Sequence, residues 1–169
     1  MSTPEWKKFE ESGGDILDTS ILMLSDLQYA PLPLTGGKLQ ITDGSTLPVG
    51  AVSGFPVAAS ETVAAVLGPL TDRITEYANS EIGSKPYLPR TEELCIAKCE
   101  PYTQWFRAVL CELTNGPGSE TAEVLYLDYG NLSRVPTSSL RKCLRDFIEL
   151  PAVAVQAYIA GQSHSACAV

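Results

Sequence analysis

Between Leu94 and Val135 the chain is cut into strand-length pieces, and the punctuation between them limits the fold more than any other stretch. Leu94 to Cys99 is a short apolar run closed by the turn Glu100-Pro101-Tyr102-Thr103-Gln104. Trp105 to Leu113 carries Trp105, Val109, Cys111 and Leu113 on alternate positions, the period of a half-buried strand. Asn115-Gly116-Pro117-Gly118-Ser119 predicts a loose hairpin loop, Ala122 to Tyr129 a third strand, and Gly130-Asn131 a turn into Ser133-Arg134-Val135. Four short strands joined by tight turns predict a small barrel of the SH3-like kind.

The 169 residues suffice for one self-sufficient core, or for one domain with a small subdomain. At 19% charged and 44% hydrophobic the composition is that of a globular chain. Thirteen Gly and twelve Pro without a period favour a turn-rich fold with much β structure. The formal charge of −8 argues against nucleic acid as the main ligand, because such binding draws on phosphate neutralisation. It favours a basic partner such as an Arg-rich segment. Met1 to Trp6 is polar and lacks the regions of a signal peptide, and no run is long enough to span a bilayer. Five cysteines form an odd set, for which reduced thiols and an intracellular setting are the expectation.

Upstream of the barrel, residues 1–15 read as a charged tail ending at Gly13-Gly14. Ile16 to Leu27 is apolar without a period, and Pro31, Pro33 and Gly36-Gly37 then break the chain. Lys38 to Thr42 alternates like a strand before the turn signal Asp43-Gly44, and Val49 to Val57 is a weaker strand candidate. After Ser60, a predicted N-cap, Val63, Leu67, Leu70, Ile74 and Tyr77 form one helical stripe. Gly68-Pro69 predicts a kink in that helix or a restart with Pro69 at its first position. Ser80 to Arg90 is a linker, Thr137 to Leu140 a helical turn, and Leu150-Pro151 leads into a last strand through Tyr158.

Phe106 of the second strand, Tyr126 and Tyr129 of the third, and Asn131 fall at the same end of the predicted sheet. Taken alone, strand aromatics are commonly core. With no nucleophile, acid–base pair or metal cluster beside them, these rings suggest instead a pocket for a diffuse cation, and a reader of peptides rather than an enzyme. Trp105 lies on the opposite face and is read as core. Cys95 and Cys99 share a face, and Cys111 and Cys143 read as small buried hydrophobes. His164 and Cys167 near the end offer no Cys-x-x-Cys pairing for zinc, so neither metal nor cofactor is expected. A nuclease would need a carboxylate cluster with an arginine pair, and none is visible.

Tyr87-Leu88-Pro89, Glu93 to Lys98, Trp105-Phe106-Arg107-Ala108, Tyr126 to Asn131, Val135-Pro136, Leu140-Arg141 and Leu150-Pro151-Ala152, in this order, resemble the extended Tudor domain. That module occurs in germline proteins of the PIWI-interacting RNA pathway and in a Tudor–staphylococcal-nuclease protein. The resemblance implies a mainly β fold with a linker helix (α+β), an SH3-like Tudor barrel joined to a partial OB-type staphylococcal-nuclease-like subdomain. It divides the chain into a 1–15 tail, a 16–85 OB-like part with the linker helix, an 86–145 Tudor core, and a 146–169 return strand into the OB-like subdomain. That last piece stops short of the helix and strands with which the family usually continues. The resemblance further implies an adaptor in cytoplasmic germ or perinuclear granules. Such an adaptor binds an Arg/Gly- or Arg/Ala-rich disordered segment, such as a PIWI tail, through dimethylated or unmodified arginine. The implied cage is Phe106, Tyr126, Tyr129 and Asn131, with Cys99 where the family's first ring usually falls. Cys99, Tyr102 and Asp128 are accessory candidates, Tyr102 as a substitute ring and Asp128 more simply as a structural partner of turn amides or Arg107. The alternative is a scaffold or self-associating module with a vestigial cage, docking through an apolar surface.

Overall fold

The computed structural model of the chain describes Lys7 and residues 21–29, 37–99, 103–116 and 119–158. Among the described residues, eight strands form two antiparallel sheets, and one long helix lies between the second strand and the third. Strands β1 (Leu39–Asp43) and β2 (Ala51–Pro56) make a hairpin, closed where Asp43 accepts hydrogen bonds from Ser45 and Thr46. Strand β8 (Val155–Tyr158), from far along the chain, pairs with β2 to complete a three-stranded sheet.

Helix α1 runs from Ser60 to Asn79. Its stripe Val63, Leu67, Leu70, Ile74 and Tyr77 is buried as its spacing predicts. Ser60 is the first helical residue, not the cap; a 3-10 turn over Val57–Ala59 runs straight into the helix and leaves Ala59 at the N-cap. The helix also passes through Gly68-Pro69 without restarting. An interior proline costs about 3 kcal/mol, whereas each fully buried apolar side chain contributes about 1.5–3 kcal/mol. Five such side chains outweigh one proline. Ala65, whose carbonyl Pro69 cannot serve, is exposed, as is Pro69, so water reaches the gap. The helix stops at Ser80, whose Oγ donates to the Tyr77 carbonyl and accepts from the Gly83 amide.

The second sheet has the order β6-β5-β4-β3-β7, from β3 (Leu94–Lys98), β4 (Trp105–Gly116), β5 (Ser119–Tyr126), β6 (Leu132–Pro136) and β7 (Leu140–Lys142). It differs from the sequence expectation in three ways. A fifth strand, β7, three residues long, pairs back onto β3. The third strand ends at Tyr126, leaving Tyr129 in the turn beyond it. Gly116 pairs with Ser119, so the hairpin is tighter than the glycines and proline suggested.

One face of this curled sheet encloses Cys95, Ala97, Ala108, Leu110, Ala122, Val124, Val135 and Leu140. Small side chains dominate there, which lets the strands close on themselves. The other face, with Leu94, Ile96, Trp105 and Val109, packs on the helix stripe and on Leu144, Phe147 and Val153. A register shift between Leu110 and Glu112 turns the strand over, so that Cys111 faces the helix side while Leu113 packs against the barrel interior. Leu113 therefore leaves the alternation that begins at Trp105. Among the described residues, no helix is long and apolar enough to cross a membrane.

Candidate functional site

Phe106 is the second residue of β4, turned toward the barrel interior and half-buried at its end. Tyr126 closes β5 and is 1% exposed, its hydroxyl donating to the Lys98 carbonyl at 3.0 Å. Tyr129, in the following turn, is 38% exposed. Both tyrosine rings stand nearly perpendicular to Phe106, at 88° and 89°, with centroids 6.2 and 5.5 Å away. Edge-on ring pairs are favourable in themselves, so the recess is pre-formed.

The turn carrying Tyr129 and Asn131 is fixed from both sheets. Within it, the Gly130 amide donates to the Tyr126 carbonyl and the Tyr126 amide to the Asn131 carbonyl. Gly130 has φ +77°, and a Cβ there would lie 2.1 Å from that of Ser53, so only glycine fits. From β1 and β2, Thr42 donates to the Tyr129 carbonyl at 2.5 Å and Ser53 to the Gly130 carbonyl at 2.9 Å. The Leu132 amide donates to Thr46 at 2.8 Å. The smaller sheet thus holds the turn that aims Tyr129 and Asn131.

Phe106, Tyr126, Tyr129, Asn131 and Cys99 come together around one cavity of about 470 Å³. Cys99 reaches it from the end of β3, where its amide donates to the Gln104 carbonyl, and it is not in a disulfide. Burial, then Asp128 and Cys99, raise the Tyr129 phenol above its usual 10.0, so the ring is neutral at physiological pH. Asp128 does not line the cavity. Its carboxylate takes Nε and Nη2 of Arg107 at 2.9 and 2.5 Å and the Val153 amide at 3.3 Å. Arg107, 1% exposed, also donates to the carbonyls of Phe147, Leu150 and Pro151, pinning the segment that leads to β8. Tyr102 lies outside the described residues.

Sequence reasoning missed the rest of the lining: Thr42, Gln104, and Gly68, Thr71 and Asp72 of α1. The one signal for the helix wall was a glycine and two polar residues beside the apolar stripe, features equally expected of a solvated face. Among the described residues, no three His, Cys, Asp or Glu side chains are placed to share a metal ion. The cavity offers flat neutral rings, an amide and a few polar groups, the equipment for binding a planar cation.

The Tudor domain family model matches residues 53–161. The chain belongs to the Tudor domain family. Tudor domain-containing protein 1 of mouse is 33% identical over 82 residues, which make up 48% of this chain and 7% of that protein. The chain therefore spans a small part of that relative's length. The fold matches the extended Tudor domain TD3 of mouse TDRD1, solved with a MILI peptide containing dimethylarginine, at a TM-score of 0.65 and 18% identity, over 78% of this chain and 64% of that one. It also matches the human TDRD1 extended Tudor domain, solved with a symmetrically dimethylated peptide, at a TM-score of 0.64 and 20% identity, over 85% and 68%.

Proposed function

We infer that the chain is a peptide-binding adaptor that inserts one arginine of a partner's Arg/Gly- or Arg/Ala-rich segment between Phe106, Tyr126 and Tyr129. Asn131 accepts a guanidinium N–H on its side-chain oxygen. The observation that carries this reading is the recess of perpendicular rings, open at Tyr129, with no acid–base pair among the described residues that line it. A guanidinium over a ring gains about 0.5–2 kcal/mol per contact, depending on desolvation. Three contacts give a module of modest affinity, suited to tails with many arginines, where repeated sites raise the effective concentration. Solved extended Tudor domains bound to MILI and Piwi peptides support an Arg-rich partner, and we choose a PIWI-type tail in a germ-granule setting. We assign the Tudor core to residues 86–145 and the OB-like part to 16–85 with 146–169, so that the cavity opens where the two meet.

Chemical-shift mapping with an unmodified and a dimethylated Arg-repeat peptide tests this. Shifts concentrated on Phe106, Tyr129, Asn131 and the flanking turn are expected. Shifts confined to another surface would favour the scaffold reading, which Cys99 in a ring position motivates.

A further inference from the structure

The recess has a wall that its rings do not account for. Facing them stands the middle of α1, which contributes Gly68, Thr71 and Asp72 to the lining. Gly68 and Asp72 are four residues apart and therefore sit one above the other on a single helix face. At Gly68 nothing screens the recess, since a Cβ there would meet no atom within 4 Å. Asp72 is exposed, and among the described residues no cation or hydrogen-bond donor is paired with its carboxylate. One turn further on, Glu76 is already paired with Lys7 at 2.5 Å. The acid on the cavity wall is thus the one left available.

The opposite side supplies the complementary fact. Cys99 gives its part of the lining a thiol, which has no flat face, so methyl groups on a bound guanidinium meet rings only at Phe106, Tyr126 and Tyr129. Unmodified arginine offers five N–H donors, enough to serve Asn131 and still present a two-pronged edge to a carboxylate. Symmetric dimethylation keeps the charge but places a methyl on each terminal nitrogen and blocks that edge. With an incomplete apolar enclosure and a waiting carboxylate, the lost fork outweighs the added methyl burial.

We propose that Asp72 is a specificity-determining residue of this site, through which the recess takes arginine with free terminal N–H groups, unmodified or monomethylated, ahead of symmetrically dimethylated arginine. This rests on the adaptor reading and deepens it. Asp72 is solvent-exposed on the helix, so its replacement by Asn leaves the fold intact, which a thermal melt verifies.

The test is calorimetric titration of the full chain with one synthetic Arg-Gly repeat peptide in three forms: unmodified, monomethylated and symmetrically dimethylated. Wild type is expected to bind the unmodified form about three- to tenfold more tightly than the dimethylated one, the range of a charge-assisted contact at a solvent-open site. Asp72→Asn should weaken the unmodified form by a similar factor, leave the dimethylated form nearly unchanged, and so erase the preference. Cys99→Phe, which restores a ring, should strengthen the dimethylated form. A wild-type preference for the dimethylated peptide, or an affinity ratio that Asp72→Asn does not move, overturns the proposal while the adaptor reading stands. No binding of any form overturns both.

Discussion

Tyr126 and Tyr129 are three residues apart, yet the fold uses them differently. Tyr126 is almost wholly buried and bonded to the Lys98 carbonyl, so its ring is both a wall of the recess and part of the barrel core. Truncating such a side chain costs about 3–5 kcal/mol, which makes Tyr126→Ala a test of folding, not of binding. Tyr129 is half-open to solvent and is the cleaner probe. Between Tyr129 and Asn131, Gly130 carries the demand on backbone shape. Gly130→Ala would put a methyl group into Ser53 and hold a non-glycine residue at positive φ. We predict a loss of at least about 2 kcal/mol, from the left-handed backbone and the clash together, read as a lowered urea midpoint. An unchanged midpoint would mean that the turn is not held by β2 as described. At this scale the sequence reading set the rings and Asn131 at one end of the sheet, where the structure brings them together, while their role as a binding site came from the resemblance. The structural role that the sequence reading favoured for Asp128, as a partner of turn amides or Arg107, is the one it has: its carboxylate is held by Arg107.

Among the elements, β4 and α1 carry most of the organisation. Strand β4 supplies Phe106 to one face and Trp105 and Arg107 to the other, and Arg107 fastens the 145–153 segment through Asp128 and three carbonyls. Removing one member leaves the other as an uncompensated buried charge. Asp128→Ala is therefore expected to cost about 3–5 kcal/mol, whereas Arg107→Met combined with Asp128→Leu should cost far less. Urea unfolding of the single and double variants checks this, and equal losses for both would contradict it. The helical stripe and the strand alternation were legible because they repeat locally. The register shift at Leu110–Glu112 was not, since a bulge has no composition of its own, and it moves Leu113 to the other face. Likewise β7 is too short to show a period, and Pro69 reads as a break until the burial of five neighbours is weighed against it.

For the molecule as a whole, the site depends on contacts between distant parts of the chain. The turn carrying Tyr129 and Asn131 hangs from Thr42, Thr46 and Ser53, 77 to 87 residues earlier, and the facing wall belongs to a helix that precedes the barrel. No local pattern encodes such a meeting, which is why the rings were legible and Gly68, Thr71 and Asp72 were not. On the adaptor reading proposed above, the acidic balance of the chain would assist encounter with a cationic tail, and the recess would make the contact. The measurement that tests this account most directly is the affinity of one Arg-rich peptide for wild type and for Tyr129→Ala, with thermal melts of both. We predict a loss of tenfold or more, at about 1.4 kcal/mol per decade, with the melting temperature within a few degrees of wild type. Wild-type affinity in a folded Tyr129→Ala protein would contradict the cage as the binding site.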